Sequence, residues 1–214
     1  MQTHINLDES RSVLGSLRAL FPERRVRFFE ALRIAELQAT RLHQVLAIEG
    51  DAVPSEAVSE LPRIEVQYRD IPTSGMSYWN GTTWIIAINR WEPRTRQRFT
   101  LFHEFKHIVD HGRAKQLYAT DEQAEQAADF FAGCALMSRG ALKRAWAGLI
   151  QQPAVLARLF DVSPRAITVR LAQIGLTDSG ERCERPAAPH RPRPGHYHRQ
   201  RSTRPYETSE VLVA

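Results

Sequence analysis

The sequence predicts an α+β fold, and three features point to it. Strand-like alternation is confined to residues 63–89, amphipathic helical periods stand on either side of that stretch, and a turn dipeptide joins two of the strand-like runs. At 214 residues the chain can bury the core of one domain and carry a smaller appendage.

From Val26 to Ile48 apolar residues return at helical spacing (Phe28, Leu32, Ala35, Ala39, Leu42, Leu46), with charged residues between them, and Gly50 and Pro54 end the pattern. Arg63 to Tyr68 then alternates, placing Ile64, Val66 and Tyr68 on one face of a half-buried strand. Asn80-Gly81 tolerates the positive φ of a tight turn, so Met76 to Trp79 and Thr83 to Asn89 are expected as the arms of a hairpin. Pro93 opens the next helix, with Glu92 or a neighbour as its cap, and Gly112 closes it just past His111. A further helix is expected from Thr120 or Asp121, where Thr120 and Gln123 have capping-box spacing, through to Met137. Pro153 to Leu176 reads as two short helices around a turn, with Ser163 capping the second and Pro164 in its first turn.

The chemistry-bearing pattern lies inside the helix that Pro93 opens. His103-Glu104-Phe105-Lys106-His107 is HExxH. Residues four apart stand one turn above each other, about 6 Å along the axis, so both imidazoles can reach one ion at roughly 2.0 to 2.1 Å. Glu104 projects beside that ion and can take a proton from a water held there, the arrangement of zinc peptidases. A solvated helix face could carry the same residues by accident. Against that, Phe99, Leu101, Phe102, Phe105, Ile108 and Val109 nearly surround the motif, so the helix is largely buried and its histidines need partners.

A zinc ion needs a third protein ligand. The following helix offers Glu122, Glu125 and Asp129. Glu125 is the choice: it stands one turn from Asp129, so one carboxylate can bind the metal while the other accepts a hydrogen bond from the far nitrogen of a ligand histidine. His111 continues the spacing, but on a straight helix it lies about 12 Å from His103, too far to share one ion.

Charge and composition narrow the setting. No run approaches the roughly 18 to 20 apolar residues of a membrane-spanning helix, and MQTHINLDES has neither a basic segment nor an apolar run, so a cytoplasmic protein without a membrane partner is expected. Two cysteines, Cys134 in an apolar helical stretch and Cys183 in a basic one, suggest no disulfide framework. The net charge of +5 resides near the C-terminus: between Arg182 and Arg204 seven arginines oppose the single acidic Glu184. With its interleaved prolines and few apolar residues this tail is expected to be disordered, with at most weak contact to nucleic acid.

At these residues the sequence resembles the ImmA/IrrE family of metallo-endopeptidases. The resemblance extends over Ile88-Asn89, Arg98 to Leu101, His103 to His107 with the trailing His111, and Glu125 to Met137. It implies zinc bound by His103, His107 and Glu125, Glu104 as general base, and a minimal thermolysin-like fold: a small twisted sheet, the HExxH helix, then a glutamate helix. It also implies a protein substrate, a helix-turn-helix transcriptional repressor from the same locus. Phe102 stands where a small residue is common, Lys106 replaces a usual glycine and Ser138 a proline; Asp129 occupies a position held by asparagine or aspartate.

The expected organisation is an N-terminal helical segment (1–50), a zinc metallopeptidase core (51–150), a helix-turn-helix-like module (151–178) and a basic Pro- and Arg-rich disordered tail (179–214). In the third, Arg165, Thr168 and Arg170 would project from the second helix. Two amphipathic helices packed on the core would give the same pattern, so this segment is read as structural or partner-binding. The rival to a peptidase is a DNA-binding regulator, or a toxin-antitoxin partner, that keeps zinc for stability. A structural zinc is normally closed by four protein ligands, whereas three are found here and Glu104 is intact, which favours the enzyme.

Overall fold

A computed structural model describes residues 7–177; the expectations for the tail, with Cys183, lie outside them. Two N-terminal helices, α1 (Leu7–Arg18) and α2 (Phe28–Val45), precede a one-turn helix α3 (Glu56–Ser59) and the strands β1 (Ile64–Arg69), β2 (Gly75–Trp79) and β3 (Trp84–Asn89). Helices α4 (Arg94–Asp110), α5 (Ala114–Leu117), α6 (Asp121–Leu136), α7 (Arg139–Ala147), α8 (Pro153–Leu159) and α9 (Pro164–Gln173) follow.

The sheet has the order β1-β3-β2, with β1 parallel and β2 antiparallel to β3. Central β3 is buried from Ile85 to Ile88, which explains its unbroken apolar run. On β1, Ile64 is buried and Val66 partly so, while Tyr68, expected on the same face, is 50% exposed near the strand's end. In the hairpin the Asn80 N–H donates to the Thr83 carbonyl at 3.1 Å. Of the expected turn dipeptide only Gly81 takes positive φ (107°), and Asn80 contributes its side chain instead, its Oδ1 accepting from the N–H groups of Thr82 and Thr83.

Helix α4 begins with Pro93 in the N-cap position; Glu92 makes no cap and accepts instead from the Ser74 hydroxyl at 2.7 Å. The helix ends at Asp110, followed by Gly112 at φ 81°. Thr120 caps α6 by accepting from the Gln123 N–H, while the Gln123 side chain reaches back to the Ala119 N–H, one residue short of a full capping box. Ser138, where the family resemblance led to a proline, caps α7 through the Ala141 N–H.

A continuous core joins the helices to the inner sheet face, running from Val13 and Leu17 of α1 to Ile167 and Leu171 of α9. The N-terminal helices are part of it. Helix α2 packs along α6, its buried Ala35 and Ala39 sharing one core cluster with Ala132 and Ala135 and its Ala31 another with Ala127; small residues on both sides let the two backbones approach closely. Arg98 of α4 is buried, bonding the Val53 carbonyl at 2.6 Å and pairing with Asp161 in the turn between α8 and α9.

The two C-terminal helices form as expected, with Ser163 capping α9 through the Ala166 N–H. One expectation for them fails. Arg170 does not project: it is 1% exposed, donating to Glu36 of α2 at 3.0 Å and to the Met137 carbonyl at 3.2 Å, so it binds this segment to the core. Arg165 and Thr168 are exposed. Among the described residues no helix is long and apolar enough to cross a membrane.

Candidate metal centre

Helix α4 turns His103 and His107 towards α6, and α6 faces them with Glu125 and Asp129. The two helices are held in place from behind, where Phe105 packs on Phe131 with ring centres 6.2 Å apart. The histidine side chains are 15% and 28% exposed and the carboxylates 62% and 64%, so the cluster is open to solvent on its α6 side.

Three residues converge there. The Nε2 atoms of His103 and His107 are 3.1 Å apart; Glu125 places one oxygen 3.2 Å from the first and the other 3.4 Å from the second. Donors bound tetrahedrally at about 2.0 to 2.1 Å lie roughly 3.3 Å from one another, so this trio has the spacing a zinc-sized ion requires. Asp129 bonds the other nitrogen of His103, Nδ1, at 2.8 Å. That contact fixes the ring and directs Nε2 into the cluster. His103, His107 and Glu125 thus form a group that could hold a metal. Glu122 lies outside it, and so does His111, whose ring packs instead on Trp84 at 4.8 Å.

The electrostatics fit the same reading. Burial disfavours a charged His103, but the hydrogen bonds to Asp129 and Glu125 and the nearby charges of Asp129 and Glu104 outweigh it and raise the imidazole to about 9. Glu125 is held well below the usual carboxylate range by its bonds to His103 and His107. Without a metal, a proton thus takes the cation's place.

Glu104 stands apart from the trio. It is buried against the sheet, and its Oε2 accepts a 2.8 Å hydrogen bond from the Ser77 hydroxyl of β2. Ser77 escaped the sequence reading because nothing local shows which strand lies over the helix. Lys106 is a second residue whose place the local sequence does not show. The fully buried ammonium pairs with Asp110, whose other oxygen accepts from the Tyr118 hydroxyl at 2.7 Å, and it lies over the rings of Phe21 and Phe131. Arg18 is a third, its guanidinium capping the helix's terminal carbonyls at Ile108 (2.7 Å) and Val109 (3.1 Å).

Comparison with known proteins agrees with this architecture. A Mycobacterium tuberculosis transcriptional regulator of known structure superposes with a TM-score of 0.52 at 17% identity, over 75% of this chain and 51% of the regulator. The likeness is one of fold, and the chain spans about half the length of that protein. No curated protein matches the sequence. The family model of the IrrE N-terminal-like domain, Peptidase_M78, matches residues 62–172, from the start of the sheet to the last turn of α9 and over more than half of the chain. On that match, the chain belongs to the Peptidase_M78 family, the IrrE N-terminal-like domains.

Proposed function

We propose that the protein is a zinc-dependent endopeptidase in which His103, His107 and Glu125 hold the ion and Glu104 is the general base. The observation that carries this reading is the convergence of three residues, whose two Nε2 atoms and two carboxylate oxygens make contacts of 3.1 to 3.4 Å, with Asp129 orienting His103 from behind. Among the described residues the group has three protein members, which suits a catalytic site better than a closed structural one. Zinc bound there would polarise a peptide carbonyl and make an adjacent water acidic enough to deprotonate near neutral pH.

The chain's own groups supply the rest. Glu104, held by Ser77, is outside the donor trio and, unlike Asp129, is not engaged by a ligand histidine, so it is available to take a proton from the attacking water and pass it to the leaving amine. Among the described residues the outer edge of β2 pairs with no strand, and it can hold an extended segment by backbone hydrogen bonds. The substrate is a cytoplasmic protein, a helix-turn-helix transcriptional repressor from the same locus, cut at one site in an extended stretch. The burial of Arg170 weighs against the alternative of DNA reading through α9.

The test is Glu104→Gln. The variant should keep wild-type zinc content and melting temperature while cleavage of the repressor falls by a factor of roughly 100 to 10,000. Equal cleavage by both proteins would remove Glu104 from the mechanism.

A further inference from the structure

The candidate metal site has an aromatic flank. Trp79 closes β2 and is 43% exposed; its ring lies 5.5 Å from Trp84, which in turn meets the His111 ring at 4.8 Å. Two independent lines place this group beside the donor trio. Trp79 and Ser77 are two residues apart on β2, so their side chains share a face about 7 Å apart, and Ser77 touches Glu104. His111, the residue that caps the C-terminal end of α4, follows His107 by four residues, about 6 Å further on.

The backbone there is also open. In the hairpin the N–H of Asn89 bonds Ser74 and that of Asn80 bonds Thr83, so residues 74, 76, 78 and 80 direct their peptide groups towards β3. By alternation Ser77 and Trp79 direct theirs to the free edge. A peptide strand pairing at that edge sets one side chain beside Trp79 while its backbone passes the donor trio.

We propose that Trp79, Trp84 and His111 form a recognition subsite for one large apolar side chain, preferably aromatic, next to the peptide bond that is presented to the metal. The proposal deepens the peptidase reading and rests on it. An exposed indole backed by a second indole offers a flat apolar face to a stacked ring, and the negative charge of that face repels a carboxylate. Trp91, 74% exposed, follows β3 at the end of the hairpin away from Trp79, and it pairs with no aromatic ring among the described residues.

The experiment uses the zinc-loaded full chain and two small metal-chelating probes, N-acetyl-phenylalanine hydroxamate and N-acetyl-glycine hydroxamate, titrated by calorimetry. The phenylalanine probe should bind about tenfold more tightly, Trp79→Ala should cut the preference below about threefold with zinc content unchanged, and Trp79→Phe should retain most of it. Equal affinities in the wild type, a preference that survives Trp79→Ala, or failure of the zinc-loaded protein to bind either probe overturns the subsite. Failure to take up zinc removes the peptidase reading and the subsite together. A clear phenylalanine preference in a protein that cuts no peptide removes the enzyme and leaves the aromatic site standing.

Discussion

The Ser77 hydroxyl donates a 2.8 Å hydrogen bond to Oε2 of Glu104, joining the free-edge strand to the residue beside the metal ligands. A carboxylate that must face an attacking water gains from a fixed rotamer, and this contact supplies one. Ser77→Ala should therefore lower kcat about tenfold, in line with a hydrogen bond to a charged group, while KM changes little. Ser77→Thr, which keeps the hydroxyl, should recover most of the loss. Metal analysis separates the roles: zinc content should be unchanged in both variants, because Ser77 contacts no donor.

The donor trio and its support make a graded set. His103→Ala or His107→Ala should abolish zinc uptake, since two remaining ligands cannot hold the ion. Glu125→Ala should weaken binding by one to two orders of magnitude or more, and Asp129→Ala, which only loosens the His103 ring, by about 10- to 100-fold. Competition against a chelator of known affinity measures all four. A larger loss in Glu122→Ala than in Glu125→Ala would mean that the wrong carboxylate has been taken for the ligand.

A proton and a metal compete for His103. With burial outweighed by Asp129, Glu125 and Glu104, its pKa rises from the ordinary 6.5 to about 9 in the metal-free protein. A raised folded-state pKa contributes stability that is fully present below about 6.5 and is lost as pH climbs through about 9. The metal-free protein should thus melt lower at pH 9.5 than at pH 6.5. Zinc must displace that proton, so its affinity should rise with pH over the same window and its stabilising effect should grow. Melting curves with and without zinc across this range check both signs, and Asp129→Asn should shift the window downward.

Much of this site was legible because its information is local. HExxH is an i, i+4 pair on a helix whose ends Pro93 and Gly112 mark, and Glu125 with Asp129 is another such pair behind a cap at Thr120. The hairpin was readable for the same reason, in Asn80-Gly81. What could not be read depends on partners remote in sequence. Arg170 looked like a surface residue of a recognition helix because its local pattern is that of one; Glu36, which draws it inward, lies 134 residues away. Lys106 is similar: a lysine in a helix reads as solvated unless Tyr118 and the rings of Phe21 and Phe131 are known to close over its pair with Asp110. Ser77 belongs to the same class, since alternation shows which residues share a face but not which helix that face meets.

Gly75 sets how closely β2 lies on α4, and it gives the most exacting test of the strand's role. A Cβ built there would come within 2.4 Å of Thr100 Cγ2, 3.1 Å of the Ala87 carbonyl oxygen and 3.3 Å of Glu104 Cγ. The first contact is impossible without movement, and Thr100, only 4% exposed, has little room to yield. Gly75→Ala should therefore lift the strand from the helix, lengthen the Ser77–Glu104 hydrogen bond and reduce cleavage at least as much as Ser77→Ala does. It should also lower the melting temperature, overpacking of this kind costing about 1 to 3 kcal/mol. Thr100→Ser removes the clashing methyl, so the double variant Gly75→Ala/Thr100→Ser should recover part of both activity and stability, the two tighter remaining contacts needing shifts of only a few tenths of an ångström. Wild-type cleavage by Gly75→Ala would show that the close approach of β2 to α4 does not govern Glu104, whereas loss without recovery in the double variant would place the cause at the Ala87 carbonyl rather than at Thr100.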